Sequence, residues 1–210
     1  MDTKEIQKRV EEALKGSSGK KKFKQSAELS INFNVSMNLP ENKLNLNVVL
    51  PKGRGKDFEV GVFADGDMML NAKKVSKHVL TKAEMEKMGK SKREMRNFSK
   101  QCYWFIAQAD MMANIGKIWG VVLAPRGKMP QPAPPNVDVK PIIERLKKTV
   151  RVRSKKNPTV QVPVGTEDMP PSDIADNILA VINSIERQIH EDKIASVYFK
   201  TTMGPSVKLW

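Results

Sequence analysis

The sequence has few of the side chains that hold metals, form disulfides or act as nucleophiles. Its single cysteine, Cys102, excludes an internal disulfide framework and a multi-cysteine zinc site. Its two histidines, His78 and His190, are too far apart for metal-ligand spacing, and neither has an obvious Ser or Cys partner. The scarcity of cysteine fits a reducing, cytoplasmic setting. We therefore predict no metal, no cofactor and no catalytic residue, and we expect Cys102 to be a small core residue.

Long apolar runs and phosphate-binding loops are also missing. No stretch approaches the roughly 20 apolar residues that span a bilayer, and the N-terminus MDTKEIQKRV is too charged for a signal peptide. We therefore expect no membrane partner. The segment GSSGKKK lacks the spacer and the Ser or Thr of a P-loop, and the sequence Asp65–Asp67 (DGD) is typical of a turn.

Positive charge is what the sequence has in excess. Lys and Arg number 37 against 23 Asp and Glu, a net charge of +14 with a pI near 9.8. Such a balance favours a polyanionic partner, with nucleic acid first. One basic cluster, Lys20 to Lys24, surrounds Phe23, and cations beside a stacking ring suit a phosphate backbone with an unstacked base. The alternative is a solvated loop with Phe23 tucked into the core.

Hydrophobic periodicity differs between the ends and the middle of the chain. Apolar residues alternate with polar ones over residues 27–39 and again over 44–50, which predicts an antiparallel hairpin. Alternation returns on both sides of the basic turn SKKNP, residues 154–158, and predicts a second hairpin. Continuous apolar runs at 58–64 and 102–107, separated by helical sequence, are typical of a parallel or mixed sheet covered by helices.

These patterns predict an α+β fold with two domains. Residues 1–56 and 150–210 form a discontinuous α+β domain, and residues 57–149 form an inserted α/β domain of Rossmann-like type. Ser172 is predicted to cap a helix after Pro170 and Pro171, and residues 194–201 are predicted to form a strand.

Two loops are more distinctive than their surroundings. The sequence VLAPRGKMPQP, residues 122–132, holds Arg126 and Lys128 between prolines, which leaves little entropy to lose on binding. The sequence KTTMGPSVK, residues 200–208, ends a strand with hydroxyls, a methionine and a Gly-Pro bend that lets another backbone approach closely.

At these residues the chain resembles a known family. VLAPRGKMPQP is similar to the GPRG-x-MP-x-P loop, and TTMGPSVK to the C-terminal TMGP signature, of the large-subunit ribosomal protein L-one family. KKFKQSAELSINF and PPSDIADNILAVINSI resemble two further segments of that family. The order and spacing match over essentially the whole chain. The intact PRGKMP form resembles archaeal or bacterial members, and the lack of the long bacterial N-terminal extension favours the archaeal ones.

The resemblance implies a structural protein of the mobile L-one stalk, located in the cytoplasm on the large ribosomal subunit. Its partners would be large-subunit rRNA, deacylated tRNA transiently at the E site, and an operator on its own mRNA through which it represses translation. Off the ribosome it would be a monomer, with a hinge where the chain crosses between the two domains.

The resemblance also implies which residues contact RNA. The main contacts would be Lys22, Phe23, Ser26, Glu28, Lys156, Ser196, Thr202, Met203 and Gly204. Arg126 and Lys128 of the inserted domain would form an auxiliary contact. Two rival classes remain: an α/β enzyme using nucleotides or phosphate near Asp65, Asp67 and the PRGKMP loop, and a basic DNA-binding chromatin protein.

Overall fold

The computed structural model describes residues 3–17, 21–37, 39–135 and 137–210. It divides into two compact units. The terminal unit comprises Met1–Lys56 and Lys148–Trp210, and the inserted unit comprises Asp57–Lys147. Lys20, one of the cluster around Phe23, lies outside the described residues.

Helices and strands occur together in both units, which confirms a mixed α/β fold. In chain order the helices are α1 Thr3–Ser17, α2 Gly66–Val75, α3 Lys82–Gly89, α4 Lys92–Gln101, α5 Met112–Ile118, α6 Gly120–Leu123, α7 Val139–Lys147 and α8 Pro171–Glu186. The strands are β1 Ser26–Phe33, β2 Asn45–Val49, β3 Glu59–Phe63, β4 Val79–Leu80, β5 Cys102–Gln108, β6 Gln131–Ala133, β7 Thr149–Arg153, β8 Thr159–Thr166, β9 Ile194–Thr201 and β10 Ser206–Lys208.

The terminal unit contains a four-stranded antiparallel sheet and a separate two-stranded ribbon. The sheet has the order β10-β9-β1-β8, so the first strand of the chain lies between two strands from its C-terminal part. The ribbon joins β2 to β7. Both predicted hairpins are therefore wrong: the strands form, but β1 pairs with β8 and β2 pairs with β7. β2 ends at Val49, shortly before the chain leaves this unit after Lys56, and β7 begins at Thr149, just after the chain returns at Lys148. Beyond the strands, Leu50 N donates to Lys148 O at 2.9 Å.

Alternation in the sheet sorts side chains onto two faces. The inner face of β1 is apolar and fully buried at Ala27, Leu29 and Ile31. It packs in one cluster with α1 and α8, which contribute residues such as Val10 and Ile178. The outer face of the same strand is polar and partly exposed, so the sheet presents a polar surface opposite its core.

The inserted unit has a parallel sheet, as its continuous apolar runs predict. The strand order is β4-β3-β5-β6, and every pairing is parallel. Apolar clusters cover both faces, one around Phe105 and Trp119 and the other around Trp104 and Met68. Burial on both faces is why these strands lack alternation.

Side chains cap the starts of α2, α3 and α4, where Asp65, Thr81 and Ser91 accept hydrogen bonds from backbone N–H groups. Asp65 accepts a hydrogen bond from Gly66 N at the start of α2. Thr81 and Glu84 form a capping box at α3, and the hydrogen bonds from the Thr81 backbone and side chain hold the pKa of Glu84 below its usual value. The predicted Ser172 cap is wrong, because Pro170 occupies the capping position and Ser172 lies inside the first turn of α8.

Candidate nucleic-acid interface

On the outer face of the four-stranded sheet, polar side chains of neighbouring strands lie opposite one another. Glu28 lies opposite Lys200 on β9, and Ser30 lies opposite Tyr198. All four side chains are partly exposed. Hydroxyl, carboxylate, ammonium and phenol groups thus form rows across the strands, and each can exchange hydrogen bonds with a sugar 2′-hydroxyl or a base edge.

One row of this face is hydrogen-bonded across three strands. Asn32 Nδ2 donates to Ser196 Oγ at 3.0 Å, and Thr159 Oγ1 donates to Asn32 Oδ1 at 2.9 Å. Ser196 is a predicted contact, whereas Asn32 and Thr159 were not singled out by sequence reasoning. The bonds fix the orientation of the Asn32 amide, so the row presents a set pattern of donors and acceptors.

A buried glutamine ties together three segments at the other end of β1. Gln25, which has no solvent exposure, donates from Nε2 to Glu167 Oε2 at 3.0 Å and from its backbone N to Glu167 Oε1 at 2.9 Å. Its Oε1 accepts from Met203 N at 3.0 Å. Gln25 therefore anchors the loop 202–204 to the start of the central strand. Sequence reasoning missed both Gln25 and Glu167, since neither belongs to a basic or apolar pattern.

Thr202 is held to the adjacent strand start by its own side chain and backbone. Its Oγ1 accepts from Ser26 N at 3.1 Å and also lies 3.3 Å from Ser26 O, and Thr202 N donates to Ser26 O at 3.1 Å. Gly204 N donates to Thr201 O at 3.3 Å. The predicted contacts Ser26, Thr202 and Gly204 thus lie together. The hydrogen bonds hold the loop 202–204 against the start of β1.

Two apolar side chains project from this end of the sheet. Met203 is 61% exposed and Phe23 is 50% exposed. The alternative in which Phe23 is tucked into the core is therefore wrong. Lys21 and Lys22 are exposed beside Phe23, and Lys24 pairs with Asp168 at 2.7 Å. An exposed ring and thioether with cations alongside is an arrangement suited to stacking on bases beside phosphates.

Lys156 lies at the opposite end of the same sheet. It is exposed in the turn before β8, three residues from Thr159. Thr159 pairs with Asn32, and Asn32 is six residues along β1 from Ser26, a distance of roughly 20 Å. The predicted contacts of the terminal unit therefore span the length of one polar face.

The predicted auxiliary contact in the inserted unit has a different environment. Lys128 Nζ donates to Ser99 O at 2.7 Å and to Cys102 O at 2.6 Å. Arg126 Nη1 donates to Ser99 Oγ at 2.5 Å, although the residue is exposed. Gly127 has a φ of +64°, which a glycine adopts without strain and which makes this turn possible. Both cations thus bind the C-terminal end of α4, where carbonyls attract positive charge.

Two groups that an enzyme could use, Asp65 and Cys102, have structural roles. Asp65 caps α2, and its backbone N donates to Gln108 Oε1 at 3.2 Å. Cys102 is 1% exposed, which confirms it as a core residue, and this burial raises the pKa of its thiol to about 12. Across residues 3–17, 21–37, 39–135 and 137–210, no cluster of three or more His, Cys, Asp or Glu is placed to hold a metal. No described helix is both long and apolar enough to span a bilayer.

Comparison with known proteins settles the family. A model of the ribosomal protein L1p/L10e family matches residues 8–205. The chain belongs to this family. It is 42% identical over 212 residues to large ribosomal subunit protein uL1 of Thermoplasma volcanium, covering 100% of this chain and 97% of that protein. It is 43% identical over 208 residues to the uL1 of Pyrococcus horikoshii, covering 96% of this chain and 95% of that protein.

A third relative, the uL1 of Methanothermobacter thermautotrophicus, is 42% identical over 211 residues, with coverage of 97% and 100%. These relatives are archaeal, which confirms the predicted resemblance of the chain to archaeal members. Membership in a family of ribosomal proteins also removes the enzyme as a rival.

Proposed function

We propose that this protein binds large-subunit rRNA through the outer face of the terminal-unit sheet and the loops at its two ends. The polar rows on β1, β9 and β8 read the shape and 2′-hydroxyls of the RNA. Phe23 and Met203 pack against bases or riboses, and the lysines neutralise phosphates. Glu28 accepts from base amino groups or sugar hydroxyls, which accounts for a carboxylate on this surface.

The proposal rests on exposed apolar side chains that lie beside a hydrogen-bonded loop at one end of β1. Exposed Met203 lies in a loop whose backbone is held by Gln25 and Ser26, and the exposed ring of Phe23 lies two residues before Gln25. An exposed apolar pair costs solvation in the free protein, and a fixed backbone reduces the entropy lost on binding. Both features favour a preformed contact site over a solvated loop.

Family membership and the resemblance of the signature loops support a finer role. The protein occupies the mobile stalk of the large subunit beside the E site, where it accompanies release of deacylated tRNA. It binds an operator on its own mRNA that resembles the rRNA site, and so represses translation. The two units are domains joined by a hinge at their two crossings, and off the ribosome the protein is a monomer.

The test is binding to a fragment of the stalk region of large-subunit rRNA, measured against salt and against duplex DNA of equal length. We expect specific RNA binding with a slope of log affinity against log salt of about 0.7 to 0.9 per phosphate neutralised. Equal affinity for the DNA would instead support the chromatin class. A flat response to salt would show that the basic surface is not the binding face.

A further inference from the structure

The exposed face of the β2–β7 ribbon carries amides and guanidinium groups without acids. Asn45 pairs with Arg153, and Asn47 pairs with Arg151. The alternate positions of both strands, such as Val48 and Val152, belong to the core. This face therefore lies outward and carries two guanidinium groups and two amides, all able to donate hydrogen bonds.

The ribbon continues beyond β2 and β7 and brings two more cations together. Ser154 N donates to Leu44 O at 3.0 Å, and Leu44 N donates to Ser154 Oγ at 2.9 Å. Continuing this register places Lys43 opposite Lys155. Like charges facing each other across a strand pair destabilise the sheet. Neither lysine forms an ion pair with a carboxylate of the described residues, so no salt bridge there offsets the repulsion.

A pocket opens where these residues meet. Lys43, Arg153, Lys155 and Lys156 contribute to its lining, together with Ser154. Its volume is about 510 Å³, room for a phosphate group with several waters, since one water occupies ~30 Å³ in the liquid. Ser154 is only 8% exposed, and its hydroxyl, having accepted from Leu44 N, still has a proton to donate.

We propose that this pocket binds a phosphate group of the RNA backbone and so anchors the RNA beyond the polar sheet face. The inference rests on the proposed function and extends it from Lys156 alone to a site of four cations. The planar guanidinium of Arg153 suits two phosphate oxygens at once, and the lysines supply charge from either side. A phosphodiester also removes the repulsion between Lys43 and Lys155.

The test compares two double variants of the full chain for binding to the stalk rRNA fragment. Lys43→Ala with Arg153→Ala removes two pocket cations. The control, Lys4→Ala with Lys8→Ala, removes two exposed lysines from α1, whose apolar side packs in the core with the inner face of the sheet. We expect the pocket variant to lower the salt slope by about 0.7 to 0.9, the value for one phosphate contact, and to weaken binding at least about tenfold at moderate salt. The control should leave both unchanged.

Thermal unfolding of the same samples separates binding from structure. The pocket variant should melt at the same temperature as the parent or slightly higher, because it relieves like-charge repulsion. An unchanged salt slope would overturn the proposal while leaving the proposed function intact, provided that the parent binds RNA specifically. If the parent binds no RNA specifically, the proposed function fails, and this proposal with it.

Inorganic phosphate distinguishes a free anion from an RNA phosphodiester as the occupant. The probe is titrated against the parent at constant ionic strength while the backbone amide signals of Arg153 and Ser154 are followed by NMR. Weak shifts that RNA binding at the same pocket suppresses would support the proposal. Saturable phosphate binding that the rRNA fragment does not displace would overturn it, since the pocket would then serve a free anion.

Discussion

The loop 202–204 and the loop 126–128 are equally distinctive in the sequence, but their side chains face different partners. In the first loop the backbone is held by Gln25 and Ser26, and Met203 is left 61% exposed. In the second loop the cations themselves are held, with Lys128 donating to two backbone carbonyls of its own unit. A fixed backbone with free side chains is typical of a binding surface. Side chains that are already hydrogen-bonded within the protein are typical of a structural role.

The largest effect should come from removing the internal bonds of the second loop. Lys128→Met keeps the length and bulk of the side chain but leaves Ser99 O and Cys102 O without a charged donor. We expect the free energy of unfolding to fall by about 3 kcal/mol, the scale of hydrogen bonds to charged groups. RNA affinity per folded molecule should hardly change. Unchanged stability with a large loss of RNA affinity would show that Lys128 contacts RNA. It would contradict the distinction between the two loops.

A nearly equal effect is expected at the buried anchor of the first loop. Gln25→Leu fills the space but leaves Met203 N without its acceptor and Glu167 Oε2 without its side-chain donor. Stability should fall by about 2 kcal/mol, and RNA binding should weaken as well because the loop loses its fixed position. Ser30→Ala, on the outer face of the same strand, is the control and should barely alter chemical denaturation. Loss of stability with full affinity would show that loop order is irrelevant to binding.

The exposed apolar side chains should affect binding without affecting folding. Phe23→Ala and Met203→Ala should each weaken specific rRNA binding by about 1 to 2 kcal/mol, the scale of one stacking contact. Their melting temperatures should match that of the parent, because both side chains are mostly in solvent. Leu39→Ala removes another exposed apolar side chain, 56% exposed in the same unit, and should change neither quantity. If all three variants bound the rRNA as tightly as the parent, Phe23 and Met203 would not contact the RNA.

A smaller change in RNA affinity is expected at Thr202, in the first loop. Thr202→Ala removes the hydroxyl that accepts from Ser26 N, and we expect about 1 kcal/mol of lost RNA affinity. Thr202→Ser retains the hydroxyl and should recover most of that loss. The salt slope should be the same for both, since no phosphate contact is removed. If melting temperature alone falls in the alanine variant, the tail only completes the sheet.

The smallest effect concerns the thiol in the core of the inserted unit. Burial raises the Cys102 pKa from the ordinary 9.0 to about 12, so the folded state binds this proton more tightly than the unfolded state. Its contribution to stability is therefore intact below pH 9 and is lost as pH rises from about 9 towards 12. At pH 8 a thiol reagent should label Cys102 only after unfolding in urea. Rapid labelling of the native protein would contradict its burial.

Much of the fold follows from local patterns in the sequence, whereas strand pairing does not. Alternation predicts strands at β1, β7 and β8 and separates their buried side chains from their outward ones. Alternation sets the face of a strand but not its partner. Pairing each strand with its nearest neighbour in the chain therefore predicts two hairpins that do not form. The partners are set by long-range packing around α8 and by the two chain crossings between the units.

The candidate site divides in the same way. Signature loops and basic clusters identify Phe23, Met203 and Lys156, but no pattern tells whether an aromatic ring in a basic loop is exposed. Gln25 and Glu167 are 142 residues apart in the chain and become partners only through the pairing of β1 with β8. The pocket at Lys43 and Arg153 likewise depends on the β2–β7 pairing, which the sequence did not reveal.

The most direct test of the central claim is photochemical crosslinking of the full chain to its stalk rRNA fragment, with the attached peptides identified by mass spectrometry. The account predicts that crosslinks concentrate in residues 21–28, 153–161 and 196–204 of the terminal unit. The loop 126–128 should carry few crosslinks, because its cations bind the end of α4. Crosslinks found chiefly at residues 126–128, with the terminal-unit segments unmodified, would contradict the account.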